Sequence, residues 1–196
     1  RIDSSGLAFL LTVYRHILRN AVFIYAIENK LPLPISDENS LPEEYIEDED
    51  VNESIFGDAL DPERVIQEEQ LISFPKEMDV YMRKAKEYYD IITAKNNCSW
   101  IDSKYFKRTL KQQLRKDCEV LLHMITLCGD WNPTTDQKLN ELEELLNVKH
   151  NGDKVIVFTQ FSDTANYIFK QLKRRGFTHI ACATGDSKNP TDLVEH

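Results

Sequence analysis

Residues 154–175 read KVIVFTQFSDTANYIFKQLKRR, and Gly176-Phe177 then leads into THIACA at Thr178–Ala183. Lys154–Phe158 is short, β-branched and apolar without alternation. That pattern fits a strand covered on both faces, as in a parallel sheet. Ser162 is placed to cap the next helix, with Ala165, Ile168, Phe169 and Leu172 on its inner face. Lys173, Arg174 and Arg175 fall in the last turn, where positive charge suits the helix dipole, and Gly176 is a natural stop. Thr178–Ala183 is a second predicted strand. Strand, helix and strand in about 30 residues make a βαβ unit, right-handed by rule.

Upstream the periodicity changes. Leu7, Leu11, Tyr14, Ile17, Leu18, Val22 and Tyr25 recur at helical spacing, so one long helix is expected over about 5–30, capped by Ser4 or Ser5 and ended by Leu31-Pro32-Leu33-Pro34. Residues about 36–60 read as a polar acidic loop, with a short helix after Asp61-Pro62. Met78, Tyr81, Met82, Ala85, Tyr88, Tyr89 and Ile92 mark another helical face. A further helix is expected from about Asp102 to Leu127, striped by Phe106, Leu110, Leu114, Cys118, Leu121 and Ile125 and closed by Gly129. Thr134-x-x-Gln137 reads as a capping box for a helix carrying Leu139, Leu142, Leu145 and Leu146. The predicted fold is α-rich with α/β: a helical insertion at 1–150, then a partial parallel-sheet unit from 151 to 196.

Only six of 196 residues are glycine, which disfavours an all-β sandwich. Cys98, Cys118, Cys128 and Cys182 form no CxxC pair, so a reduced, cytoplasmic protein is expected. A metal site from Cys118, His123 and Cys128 is rejected, because successive five-residue steps on a helix turn by about 140°. The longest apolar run, Ala21–Ile27, is far shorter than a bilayer span, and no signal peptide is seen. The chain starts at Arg1 and reads as a piece of a longer protein.

The net charge of −9 looks unsuited to nucleic acid. Asp37–Gln70, however, holds fourteen acids and one base, a local −13, so the rest carries 23 bases against 19 acids. Lys76–Lys116 has eleven bases and five acids, interleaved with Tyr81, Tyr88, Tyr89, Trp100, Tyr105 and Phe106. One reading is a nucleic-acid track of charge and stacking. The other is that the aromatics are core stripes and the bases solvated faces. Lys104, Lys107, Arg108 and Lys111 are the best candidates for an exposed basic cluster.

Lys154–Phe161 resembles helicase motif IV of the Swi/Snf group, in which an apolar strand ends in a T/S-Q-F turn. Gly185-Asp186-Ser187 falls where that family has a glycine-containing turn, usually D-G-S; here glycine comes first. DQKLNELEELL at 136–146 resembles the family's D-x-K-L lead-in. RIDSSGLAFLLTVYRHI at 1–17 resembles the R-x-x-S-S-x-x-A-F segment of bacterial members. The resemblance implies the start of a C-terminal RecA-like lobe of an ATP-dependent helicase or translocase. Its partners would be DNA, double-stranded by preference, and a first motor lobe supplying ATP and Mg²⁺ binding.

Thr159, Gln160, Phe161 and Ser162 would lie at the carboxyl edge of the sheet, where ligands of open α/β folds sit. With Gly185 and Ser187 they are the expected phosphodiester contacts, joined by Lys107 and Lys111 from the helical part. The plainer reading of Thr159–Ser162 is a capped strand-to-helix turn. No GxxxxGK[ST] occurs, so no phosphate-cradling loop is present. Asp37-Glu38 follows a proline-containing segment and does not suit a Mg²⁺ acid pair. No catalytic, metal or cofactor-binding residue is therefore expected in this chain. The other functional class is a regulatory or protein-interaction module, with the acidic stretch docking a basic partner or the first helix supporting self-association.

Overall fold

The computed structural model describes residues 5–35, 71–95, 99–107 and 109–184. The acidic run Glu47–Asp50, the helix expected after Asp61, Cys98, Arg108, Gly185 and Ser187 lie outside them. Among the described residues the fold is helix-rich with one small two-stranded antiparallel sheet. Two compact units divide the chain: residues 1–11, 68–72 and 130–196 form one, and 12–67 with 73–129 the other.

Helix α1 spans Gly6–Glu28. Ser5 Oγ accepts from the Ala8 N–H at 3.4 Å, as the sequence suggests. The helix ends before its prolines are reached. Lys30 takes a left-handed φ of 55°, and the Leu31 N–H donates to the Ala26 carbonyl at 2.8 Å, a cap made with lysine where glycine is usual. By length and composition α1 would suffice to cross a membrane, although no uninterrupted apolar run is long enough. It is instead a core helix, with 67% of its most apolar window buried.

In the unit of residues 12–67 and 73–129, α1 is covered by α2 (Met78–Lys95) and α3 (Leu110–Cys128). Tyr81, Ala85, Tyr88, Tyr89 and Ile92 of α2 are buried, as their spacing predicts. The Tyr14 ring centroid lies 5.5 Å from that of Tyr81 and 5.8 Å from that of Phe74, in tilted geometry. The phenols do not leave polar atoms stranded: Tyr81 donates to the Pro75 carbonyl and Tyr89 to that of Pro32, each at 2.9 Å. On α3, Cys118 and Ile125 are buried, and the Cys118 Sγ lies 4.0 Å from the Ile17 carbonyl. Glu28 takes Arg115 at 2.7 Å and Lys111 at 3.4 Å, bonds at the surface worth little.

The strand β1 (Leu33–Ile35) pairs antiparallel with β2 (Ser99–Ile101), in the register Leu33↔Ile101 and Ile35↔Ser99. Pro34 is tolerated because a two-stranded ladder has only edges. The helix predicted from Asp102 is shorter than expected. Asp102 accepts from the Lys104 N–H at 2.9 Å and caps a 3₁₀ turn at Ser103–Tyr105, and α3 starts only at Leu110. Gly129 closes α3 at a positive φ of 68°, its N–H on the Ile125 carbonyl.

The other unit joins the start of α1 to the C-terminal segment. Ile72 and Trp131 exchange both backbone hydrogen bonds at 2.9 Å. A 3₁₀ turn at Pro133–Thr135 leads to α4 (Gln137–Glu144), which continues as a π-helical turn over Leu145–Lys149. The Thr134 capping box is not formed: Thr134 Oγ1 bonds Asn132, and Asp136 caps α4 by accepting from the Leu139 N–H. Helix α5 spans Ser162–Arg174 and is stopped at Gly176, whose φ is 96°.

Neither segment flanking α5 is a strand. Residues 154–159 and 180–184 carry no regular secondary structure, and the side chains of Val155, Ile156, Val157 and Phe158 are 40%, 69%, 48% and 89% exposed. A strand of this composition needs a neighbour's ladder and a cover on each face. Among the described residues neither is present.

Burial raises the Cys118 thiol to about 11 and the Tyr88 phenol to about 12, and pushes Tyr14, Tyr81 and Tyr167 up as well. Raised folded values mean that stability is full below the ordinary thiol and phenol range and falls as pH rises through the folded values. Urea midpoints should therefore hold steady to about pH 9 and decline above it; a midpoint unchanged at pH 11 would contradict this core. A second test is steric. A Cβ at Gly6 would run into the six-membered ring of Trp131, so Gly6→Ala should cost about 1–3 kcal/mol in urea unfolding.

Candidate nucleic-acid interface

The turn Thr159–Ser162 delivers the chain into α5. Phe161, not Ser162, occupies the cap position, with extended φ −113° and ψ 129° and no side-chain cap bond. Ser162 is the first helical residue, one position too late to cap. The Thr159 hydroxyl lies 3.5 Å from the Phe161 N–H, at the limit of hydrogen bonding. Gln160 is exposed, while Thr159, Phe161 and Ser162 are half-buried. Asp163 already places a carboxylate in the first turn, where it suits the dipole and opposes a second anion.

After α5 the chain turns back along it. Cys182 Sγ approaches Asn166 Oδ1 at 3.7 Å, which brings Cys182 beside the N-terminal half of the helix.

The orientation of α5 differs in part from expectation, for Leu172 is buried as its spacing predicts but the other three inner positions are not. Its buried residues are Thr164, Tyr167, Gln171 and Leu172, whereas Ala165, Ile168 and Phe169 are only half-buried. Burial follows a hydrogen-bonding hub that periodicity cannot reveal. Trp131 Nε1–H donates to the Tyr167 hydroxyl at 3.1 Å, and that hydroxyl donates to Asp136 Oδ2 at 2.8 Å. The other Asp136 oxygen caps α4. Arg175 completes the tie through Glu143 and the Pro133 carbonyl. The hub ties the start and end of α4 to the middle and C-terminal end of α5, so α4 packs with the segment after 150. Asp136, a good capping type three residues before the apolar Leu139, is the signal for this cap in the sequence.

Lys104, Lys107 and Lys111 do not share one helix face. Lys104 lies on the 3₁₀ turn, paired with Asp102 at 2.8 Å; Lys107 is exposed in the link; Lys111 is in the first turn of α3, paired with Glu28. The aromatics of the basic stretch divide: Tyr81, Tyr88 and Tyr89 are core, Trp100 and Phe106 are half-buried, and Tyr105 is exposed. Cys118 is buried and Cys128 exposed, and no cluster of three or more His, Cys, Asp or Glu side chains suited to a metal occurs among the described residues.

Compared with protein-family models, curated proteins and solved structures, the chain gives no match.

The hub predicts that Asp136→Ala, which removes both the cap and the Tyr167 acceptor, lowers unfolding free energy by about 1–2 kcal/mol. Tyr167→Phe should cost about 1 kcal/mol. Equal stability of Asp136→Ala and the parent chain in urea titration would show that the hub contributes nothing.

Proposed function

We propose that this chain is part of an ATP-dependent DNA translocase of the Swi/Snf-type helicase class, contributing backbone grip and lobe coupling rather than ATP hydrolysis. The observation that carries the reading is the uncovered segment Val155–Phe158 running into Thr159-Gln160-Phe161 and α5. Four successive large apolar residues in water are costly, on the order of 1–2 kcal/mol each relative to burial. They make sense as an interior strand of a parallel, RecA-like sheet. The half-buried Ala165, Ile168 and Phe169 are the face α5 would lay on that sheet. The motif resemblance points the same way, and the approach of Cys182 to Asn166 is compatible with a chain returning along α5.

In this reading the hydroxyl of Thr159, the amide of Gln160 and the N–H groups of the turn contact phosphate oxygens of duplex DNA, with Ser162, Gly185 and Ser187 alongside. Such contacts hold a strand without reading its sequence. ATP and Mg²⁺ belong to the whole motor and are bound chiefly by a first lobe. The second reading, a protein-interaction module, draws on the same exposed segment: a β-branched apolar stretch with unpaired backbone can also pair with a strand from another chain.

Fluorescence anisotropy with a labelled duplex tests the proposal. Binding should weaken steeply with salt, and Thr159→Ala with Gln160→Ala should reduce affinity about fivefold or more. The chain by itself should show no ATP turnover above background. Duplex affinity indifferent to both substitutions would reject the grip assigned to this turn.

A further inference from the structure

The basic stretch was open to two readings, and the structure separates its members. Its tyrosines on α2 are committed to the core, but Tyr105 is 75% exposed. Between Asp102 and Lys116 the sequence places six bases against one acid, and Tyr105 is the exposed aromatic among them. Glu28 reaches into this region, but it offers a single charge to both Lys111 and Arg115. The local balance stays positive.

Tyr105 is also held by its turn. The Asp102 carboxylate accepts from the Lys104 N–H, the Tyr105 N–H donates to the Asp102 carbonyl at 3.1 Å, and the Phe106 N–H donates to Ser103 at 3.2 Å. Lys104 Nζ sits 5.0 Å from the Tyr105 ring centroid, drawn over the ring by cation–π attraction and kept near by Asp102 at 2.8 Å. An ammonium over one side leaves most of the ring in water. A planar group with a negatively charged tether is the ligand such a surface suits: the aromatic stacks the plane and the lysines take the charge.

We infer that Tyr105 is a stacking platform for an unpaired base of single-stranded nucleic acid, with Lys107 positioned two residues on to meet the adjoining phosphate. This rests on the nucleic-acid reading above and adds to it a subsite for unpaired bases, since a base inside a duplex cannot present its face. The ring, not the hydroxyl, makes the contact.

The test is anisotropy of the full chain with a fluorescein-labelled oligothymidylate and, in parallel, with a labelled duplex. Tyr105→Ala should weaken the single strand at least fivefold and leave the duplex unchanged, while Tyr105→Phe should bind the single strand like the parent. Lys107→Ala should weaken the single strand and make its salt dependence shallower. Circular dichroism confirms that each variant is folded, which the exposure of both side chains favours. Unchanged single-strand affinity in Tyr105→Ala, or equal losses in Tyr105→Ala and Tyr105→Phe, overturns the platform alone. Failure of the parent chain to bind either nucleic acid overturns both the platform and the translocase reading.

Discussion

A 23-residue helix as apolar as α1 cannot stand in water, and much of the remaining architecture answers that constraint. Leu7, Ile17, Leu18, Ala21, Val22, Ile24 and Ala26 are almost wholly sequestered, so cover is needed around most of the helix circumference. From Thr12 onward helices α2 and α3 supply it, α2 with tyrosines that bring both area and a polar tip. Each such phenol needs an acceptor, and the chain provides backbone carbonyls at Pro75 and Pro32, where proline segments leave helix and ladder. Tyr14 is satisfied differently, accepting from Lys84 Nζ at 3.2 Å. The helix therefore dictates not only hydrophobic partners but also where irregular backbone must pass.

The helical part was legible because its signals are local. Apolar spacing located α1, α2 and α3, and Ser5 and Gly129 cap as their chemistry requires. What escaped was of another kind. Strands β1 and β2 are three residues each and one contains proline, so neither shows alternation; their pairing joins residues more than sixty positions apart. The face of α5 was misjudged because Thr164 and Gln171 are buried in place of Ala165 and Phe169, a choice governed by the Tyr167 hydroxyl and its partners. Ser162 and Thr134 are good capping types, but the turns preceding each helix put Phe161 and Asp136 in the cap position instead. Of the candidate interface residues, the sequence placed Thr159–Ser162 at a helix entrance, which they do occupy, and its apolar stripes already left Tyr105 off the faces that hold Tyr81, Tyr88, Tyr89 and Phe106.

The segment after Asp153 has unusual status in this fold. Its composition is that of an interior strand, yet it lies against water, while the helix beside it is firmly tied to α4. The tie acts at residues 131–136, 143, 167 and 175, away from the segment itself. Helix α5 is thus anchored on one side independently of any sheet, which leaves its half-buried apolar side available for further packing.

The approach of Trp131 to Gly6 has a consequence for how such a chain can vary. The indole fills the space that any side chain at residue 6 would need. The two positions are distant along the polypeptide but form a single steric unit, so neither is free to drift by itself. A larger residue at one becomes acceptable only after a smaller one at the other, and related chains should exchange the two together as an inherited pair.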